Sequence, residues 1–413
     1  MREIEGGVCA PKGFRAGGVR CGIKASSVKR DLALILADGP CTAAAVFTTN
    51  RVKAASVLVS REHLASGICR AVIANSGNAN ACTGAGGLAA ARRMAVLAGK
   101  TFGFPAEQAA VASTGVIGVP LPIAAIEEGM GALAASLTAD AAGHGAALEA
   151  IMTTDTRKKD GAMETEIGGV PVRLGGMVKG SGMIHPNMAT MLGFITTDAA
   201  VSGELLDRAL RRSVARSFNR LTVDGDTSTN DMVLVMASGV AGNSPIDREG
   251  ADYEAFTEAL ETLCVKLTRA MARDGEGASR LVTVTVRGAS GEVAAETLAK
   301  SVASSSLVKA ACSGADANWG RVLCALGYAG VPFDPEAVTV RFASAAGSIP
   351  VCRNGASVPF SEEKAGEILS ADEIGIQIDL EAPGGGPAGP GEAMVWGCDL
   401  TCEYVKINGD YRT

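Results

Sequence analysis

Histidine and aromatic residues are scarce in this chain, and their scarcity argues against several kinds of site. The 413 residues include three His (His63, His144 and His185) and only 4% Phe, Trp and Tyr. With so few His and no Cys-x-x-Cys pair, a Cys/His zinc site is not expected. A Ser/His/Asp triad has equally little material. The 11 Cys are predicted to be reduced thiols of a cytoplasmic protein.

An excess of positive charge and long apolar runs are also missing. The net charge is −6, so no basic stripe is offered to phosphate backbones and nucleic acid is not an expected partner. No apolar run approaches the roughly 20 residues that span a bilayer. The first residues, Met-Arg-Glu-Ile-Glu, lack the pattern of a signal peptide. We therefore expect a cytoplasmic protein that contacts no membrane.

The residues that are abundant indicate a globular chain with a large core. Apolar residues make up 47% and charged residues 20%, which is typical of a folded protein and not of a disordered one. The length suffices for two large substructures. With 52 Gly and few aromatics, we expect a core of Ala, Val, Leu and Ile, joined by many tight turns.

Strand and helix patterns alternate along the chain and predict an α/β fold of mixed sheets covered by helices. Strands are predicted at Leu32–Ala37, Thr42–Thr48, Ala55–Val59, Arg70–Ala74, Met232–Met236, Leu281–Val286, Val338–Phe342, Ile374–Leu380 and Met394–Ile407. Helices are predicted at Leu88–Leu97, Ile123–Leu137, Glu204–Phe218 and Tyr253–Met271. Gly168-Gly169 predicts a hairpin between Met163–Ile167 and Val170–Leu174. Cys398 and Cys402 are expected on one side of the last strand.

Three local motifs favour ordinary structure over a ligand site. The glycines of Gly84–Ala89 fit G-x-G-x-x-A, but Asn75–Thr83 separate them from the preceding strand, so a dinucleotide site is not favoured. Asp224-Gly-Asp226 begins like a calcium loop but lacks its later Gly and Glu, which favours a turn. Lys179–Gly182 fits neither a nucleophile elbow nor a phosphate loop.

Ala382–Gly391 is rich in Gly and Pro and predicts a surface loop.

The segment Val178–Leu192, Val-Lys-Gly-Ser-Gly-Met-Ile-His-Pro-Asn-Met-Ala-Thr-Met-Leu, allows two interpretations. It can be a glycine loop that enters a strand, in which Thr190 is merely β-branched and His185 is a loop residue. It can also be a site at which Thr190 reacts. The pattern by itself favours the first interpretation.

Several sequence blocks resemble the glutamate N-acetyltransferase family, also called ornithine acetyltransferases. Pro186–Leu192 is similar to the self-processing site of that family. The other blocks follow in family order: Gly7–Arg15, Phe47–Val52, Asn75–Asn80, Ser113–Gly118, Met152–Thr156, Val223–Asp231, Asp274–Ala278, Gly314–Gly320 and Tyr404–Thr413. Because these blocks cover nearly the whole chain, the second interpretation of Thr190 becomes the favoured one.

The resemblance implies self-cleavage between Ala189 and Thr190, giving an α chain of residues 1–189 and a β chain of residues 190–413. The hydroxyl of Thr190 would attack the Ala189 carbonyl, and water would open the resulting ester. Cleavage frees an α-amino group with a reference pKa of about 7.7–8.0, which can take the proton from its own hydroxyl. Such a nucleophile needs no His.

The family's reaction is a two-step acetyl transfer. Thr190 takes acetyl from N2-acetylornithine, and glutamate then takes it from the acetyl-threonine. The resemblance assigns the oxyanion hole to Thr114 and Gly115. It assigns substrate contacts to Thr156, Lys179, Thr190, Glu276, Asn408 and Thr413.

No bound cofactor is expected from the resemblance. Some family members also accept acetyl-CoA, and the sequence leaves its use as a co-substrate open. The resemblance further implies a heterotetramer of two α and two β chains. Its fold would be the α/β sandwich of N-terminal-nucleophile aminopeptidases, with a smaller second domain.

Two other functions are compatible with the residues. A peptidase or amidase on the same fold would pass the acyl group to water instead of glutamate. A binding protein without catalysis would require that Thr190 is never freed.

Overall fold

The computed structural model describes residues 1–24, 28–185, 191–382 and 385–409. These residues form a nine-stranded sheet, a six-stranded sheet and eleven α-helices. The α/β fold with mixed sheets that the sequence predicts is confirmed. No helix within the described ranges is both long enough and apolar enough to cross a membrane.

The first sheet draws its strands from the first 237 residues. Its strands are β1 (Arg2–Ile4), β2 (Phe14–Val19), β3 (Leu32–Phe47), β4 (Ile68–Asn78), β5 (Ala109–Val116), β6 (Asp160–Ile167), β7 (Val170–Lys179), β8 (Leu192–Thr197) and β9 (Met232–Ala237). The spatial order is β1-β6-β7-β8-β9-β3-β4-β5, and β2 also pairs with β3. Because β7 and β8 are neighbours, the sheet contains strands from both sides of the predicted cleavage position.

Strand β3 joins the two halves of this sheet. Its first part pairs with β2 and β4, and its second part pairs with β9. The pairing with β4 shifts between Leu36 and Cys41, where the sequence is Asp38-Gly-Pro. The two strands predicted at Leu32–Ala37 and Thr42–Thr48 are therefore one long strand with an irregular centre.

The helices that accompany the first sheet, and form the first unit with it, are α1 (Ala55–His63), α2 (Gly84–Phe102), α3 (Ile123–Ala135), α4 (Ala141–Ile151), α5 (Gly203–Arg216) and α6 (Ala251–Arg273). Alternating strand residues divide between layers. Leu32 and Leu34 of β3 pack with α1, α2 and α3. The intervening Ala33 shares a core with Phe194 of β8 and Leu234 of β9. Strands β6–β9 pack on their other side against α5 and α6. The two sheet halves thus face each other between helical layers.

A smaller second unit has its own core. Its strands are β10 (Leu281–Ala289), β11 (Val338–Ser344), β12 (Gly347–Arg353), β13 (Ala356–Ser357), β14 (Glu373–Leu380) and β15 (Gly391–Cys398). They lie in the order β13-β12-β11-β14-β10-β15. Its helices are α7 (Glu292–Ser304), α8 (Ser306–Ser313), α9 (Trp319–Gly327) and α10 (Glu362–Leu369), and α11 (Cys402–Gly409) follows. Most buried apolar residues of this unit form one cluster of their own, whereas Leu281, Trp396 and Cys398 pack into the core beside α5 and α6.

Local signals account for several boundaries. The β6–β7 hairpin turns at Gly168 and Gly169, which both have positive φ (56° and 80°), as a tight two-residue turn requires. Ser202 caps α5 by accepting a hydrogen bond from the Leu205 N–H. Asp224 accepts hydrogen bonds from the N–H groups of Met183, Ile184 and Asp226. The hairpin, the cap and the turn predicted from the sequence are confirmed.

Two predicted strands are wrong. Ala55–Val59 lies in helix α1, because burial of Val59 and Ser60 on one side of the helix outweighs the β-propensity of valine. Met394–Ile407 is not one strand. Asp399 ends β15 by accepting hydrogen bonds from the N–H groups of Ser279 and Arg280, and helix α11 begins at Cys402. Cys398 is consequently buried and Cys402 exposed, not side by side.

Candidate active site

A cavity of about 520 Å³ lies where β5 and β7 end. Five of the residues that the sequence singles out line it: Thr114, Gly115, Lys179, Glu276 and Asn408. The loop before β9 adds Ser228, Thr229 and Asn230 to the wall. Thr156 is not among the lining residues. Ala189, Thr190 and Thr413 lie outside the described residues.

Thr114 and Gly115 stand at the end of β5. Gly115 has φ +133°, and a Cβ there would lie 2.3 Å from the carbonyl carbon of Gly77, so only glycine fits. The side-chain amide of Asn230 donates hydrogen bonds to the carbonyl oxygens of Ser113 and Ala79, both at 2.7 Å. These contacts fix the strand end and hold a Thr hydroxyl and a Gly backbone at the cavity wall.

Lys179 is the last residue of β7 and is almost completely buried. Its Nζ donates to the Thr114 Oγ1 at 3.3 Å and lies 4.0 Å from a carboxylate oxygen of Asp155. Burial lowers the pKa of Lys179, while the nearby Asp155 acts in the opposite direction. A ligand carboxylate in the cavity would add a partner to this incompletely compensated cation.

Behind Lys179 lies a buried cluster of charges. Lys159 Nζ is 2.6 Å from Asp155 and 2.5 Å from Asp274, and all three side chains are at most 2% exposed. Burial would raise the pKa of Asp155, but Lys179 and Lys159 together hold that pKa well below its usual range. Asp155 also accepts a hydrogen bond from the Gly180 N–H at 2.7 Å, which fixes the backbone just after Lys179.

Thr156 belongs to this charge cluster. Its backbone N–H donates to Asp274 at 3.1 Å, and its hydroxyl donates to the other oxygen of the same carboxylate. No site role was predicted for Asp155, Lys159 or Asp274, although Asp155 and Asp274 lie within the family-like sequence blocks. These three residues are distinguished by the burial of their charged side chains, and burial cannot be read from the polar sequence around them.

Glu276 and Asn408 meet at the cavity mouth. The Asn408 side-chain amide donates to Glu276 Oε2 at 2.8 Å. A Cβ on Gly182 would lie 2.2 Å from that same oxygen, so the glycine lets the carboxylate approach the backbone. The Thr401 hydroxyl donates to the Gly277 carbonyl at 2.6 Å and tethers the start of α11 beside it. A carboxylate held in this way is suited to bind an ammonium group.

Described residues on both sides of the predicted nucleophile have defined partners. Leu192, the first residue of β8, pairs with Lys179 at the end of β7. On the other flank, the ring of His185 lies 3.2 Å from the Thr222 hydroxyl, and burial lowers the pKa of this His. Within the described ranges, no cluster of three or more His, Cys, Asp and Glu could hold a metal ion.

Comparison with known proteins identifies the family. Residues 15–413 match the ArgJ family. The arginine biosynthesis bifunctional protein ArgJ of Symbiobacterium thermophilum is 52% identical over the whole of both chains. Its counterpart in Thermotoga neapolitana is 48% identical over 98% of this chain and 99% of its own.

Two solved structures resemble parts of this chain. The crystal structure of arginine biosynthesis bifunctional protein argJ from Bacillus halodurans is 43% identical, covering 53% of this chain and 98% of that chain, with a TM-score of 0.49. Ornithine acetyltransferase from Mycobacterium tuberculosis, solved in complex with ornithine, is 40% identical over 46% of this chain and 99% of that chain, with a TM-score of 0.42. The family predicted from the sequence blocks is confirmed, and this chain belongs to the ArgJ family.

Proposed function

We propose that this protein is an acetyltransferase of arginine biosynthesis that moves acetyl from N2-acetyl-L-ornithine to L-glutamate through an acetyl ester on Thr190. The observation that carries the proposal is the cavity that gathers Thr114, Gly115, Lys179, Glu276 and Asn408. Met191, which follows Thr190 directly, leads into β8 beside Lys179. The names of the curated relatives and the ornithine complex of the Mycobacterium tuberculosis protein support the choice of substrates.

Thr190 becomes the nucleophile when the Ala189–Thr190 bond breaks. Its hydroxyl then attacks the acetyl carbonyl of N2-acetylornithine, with its own α-amino group taking the proton. The C–N bond breaks, the proton passes to the leaving amine, and ornithine departs. The amine of glutamate attacks the acetyl ester next, and the Thr190 hydroxyl is restored.

The cavity residues supply binding and electrostatic stabilisation. The hydroxyl of Thr114 and the N–H of Gly115 donate to the oxyanion that forms in each half-reaction, and their fixed backbone avoids reorganisation. Lys179 pairs with the α-carboxylate that ornithine and glutamate share. Glu276, oriented by Asn408, receives the side-chain ammonium of ornithine. The proposed contacts also include Thr413 and Thr156, although Thr156 does not line the cavity and its hydroxyl donates to Asp274.

The cleaved protein would act as α and β chains that assemble into a heterotetramer of two copies of each, in the cytoplasm. Acetyl-CoA is proposed as a second acetyl donor, in keeping with the word bifunctional in the relatives' names. Its acetyl group would reach the same Thr190, with a thiol leaving instead of an amine. No bound cofactor takes part.

The proposal is tested first by intact mass under denaturing conditions. Two species that divide the 41.7 kDa chain after Ala189 are expected. N2-Acetylornithine with a deuterated acetyl group should then label the β chain, and added glutamate should remove the label as N-acetylglutamate. Release of free acetate with glutamate present would favour an amidase, and an uncut, unlabelled folded chain would contradict catalysis by Thr190.

A further inference from the structure

Asp231 lies immediately before β9, and its side chain is fully buried. Its Oδ1 accepts a hydrogen bond from the backbone N–H of Met191 at 2.9 Å. The backbone carbonyl of Asp231 accepts a further bond from the Thr48 N–H at 3.0 Å, which holds the loop in place. Neither the sequence blocks nor the proposed mechanism assigns a role to this residue.

At the start of a strand such as β8, a backbone N–H usually donates to a backbone carbonyl. The Met191 N–H donates to the side chain of Asp231 instead. Met191 precedes the first residue of β8, and its carbonyl already accepts from the Met232 N–H at 3.0 Å. A carboxyl side chain thus supplies the acceptor on one side, and a strand neighbour supplies the donor on the other. The backbone of Met191 is held at both of its polar groups.

We infer that Asp231 is a positioning residue for the nucleophile, because it fixes the peptide unit that joins residue 190 to Met191. A peptide unit is planar and includes the N–H of one residue and the Cα of the residue before it. An anchor on the Met191 N–H therefore constrains the peptide unit through which Met191 is joined to the proposed nucleophile. The inference rests on the proposed role of Thr190.

The buried location is energetically unfavourable for the carboxyl group of Asp231. Among the residues that the structure describes, its second oxygen accepts no well-formed hydrogen bond, although the Thr48 side chain lies near the carboxyl group, and this costs free energy in a buried group. Burial also raises the pKa of Asp231 well above its usual value, which favours the neutral acid. A neutral asparagine of nearly the same shape should therefore replace it tolerably, provided that it keeps an acceptor for Met191.

The same loop also orients the other half of the proposed reaction centre. Asn230 binds the carbonyl of Ser113, directly before Thr114, while its neighbour Asp231 binds the N–H of Met191. The dipeptide Asn230-Asp231 thus holds both the strand end that carries the proposed oxyanion donors and the start of β8. A displacement of about 1 Å at such a site can cost roughly 100-fold in rate.

The test compares Asp231→Leu with Asp231→Asn in the full-length chain. Leucine keeps the shape of the side chain but removes the acceptor, and asparagine keeps both shape and acceptor. We expect D231L to slow self-cleavage in freshly made protein, and kcat of its cleaved fraction, by about 100-fold with little change in KM. D231N should lose less than tenfold. If D231L does not fold, D231S replaces it, because the serine hydroxyl is too short to reach Met191.

Asp198→Leu is the matched control. Asp198 is equally buried, follows the other end of β8, and accepts hydrogen bonds from the N–H groups of Lys12 and Arg173. D198L should lower the thermal unfolding midpoint without changing cleavage. Equal cleavage and kcat in wild type and folded D231L would overturn the inference, as would a D231N protein that folds but stays uncut. An uncut wild-type protein would instead overturn the proposed function itself.

Discussion

The Nζ of Lys159 lies 2.5 Å from Oδ2 of Asp274, and both side chains are almost fully buried. Lys159 precedes the proposed cleavage position, and Asp274 lies 84 residues after Thr190. Because the sheet is also continuous across that position, cleavage of a single bond would leave the two chains joined by strand pairing and by this ion pair.

Removal of the Lys159 charge should lower the free energy of unfolding. In Lys159→Met, the carboxylates of Asp155 and Asp274 stay buried without their shared cation. Loss of one partner of a buried pair typically costs about 3–5 kcal/mol. Urea unfolding should show a loss of that size, whereas Lys158→Met, at the exposed neighbouring position, should change stability little. A K159M protein as stable as the wild type would show that the cluster contributes little to stability.

The same cluster should make stability depend on acid. The pKa of Asp155 is depressed in the folded protein, so its contribution is present above the unfolded value of about 3.9 and is lost as pH falls towards the folded pKa. Wild-type unfolding free energy should therefore decline below about pH 4. Asp155→Asn should be less stable at pH 7 but show a shallower decline. Parallel pH curves for the two proteins would contradict the assignment to Asp155.

Gly115 offers a test of the proposed oxyanion hole. A Cβ there meets the Gly77 carbonyl carbon at 2.3 Å and also forces a side chain into a left-handed backbone. Gly115→Ala should displace the strand end and lower kcat by about 100-fold, comparable to the loss of one oxyanion donor.

Gly118→Ala is the control for that substitution. It also has positive φ (+81°), but a Cβ there has nothing within 4 Å, so it adds strain without the clash. A strained backbone of this kind costs roughly 1–3 kcal/mol. Both variants should lower the unfolding midpoint, and only G115A should lose activity. Equal activity losses in the two variants would point to a general effect of strain.

The C-terminal segment should affect binding more than stability. Helix α11 has no buried residue, yet it carries Asn408 to the Glu276 carboxylate. A chain truncated after Ile407 should keep its thermal unfolding midpoint and show a raised KM for N2-acetylornithine. The point variant Asn408→Ala should show a smaller rise in KM. Unchanged steady-state kinetics in the truncated chain would remove Asn408 and Thr413 from the substrate site.

Most regular elements with a strong local signal could be predicted from the sequence. Helix α5 repeats an apolar residue every fourth position behind a serine cap, and the β6–β7 turn has two adjacent glycines. Elements that depend on packing or on hydrogen bonds to distant residues could not be predicted in this way. Val57 and Val59 are good strand residues, but they pack in helix α1, and the strand predicted to reach Ile407 ends at Cys398 because Asp399 binds a distant backbone.

The family could be recognised from the amino-acid sequence without a structure, because motifs in a fixed order along the chain can be compared directly. The sequence also indicated the α/β class and the residues Thr114, Gly115, Lys179, Glu276 and Asn408. That these five share one cavity, and that Asp231 binds Met191, became known from the folded chain. Such contacts join residues that are far apart in sequence. Thr156 and Asp274 are 118 residues apart, and burial, close approach and ion pairing at that separation depend on the packed fold.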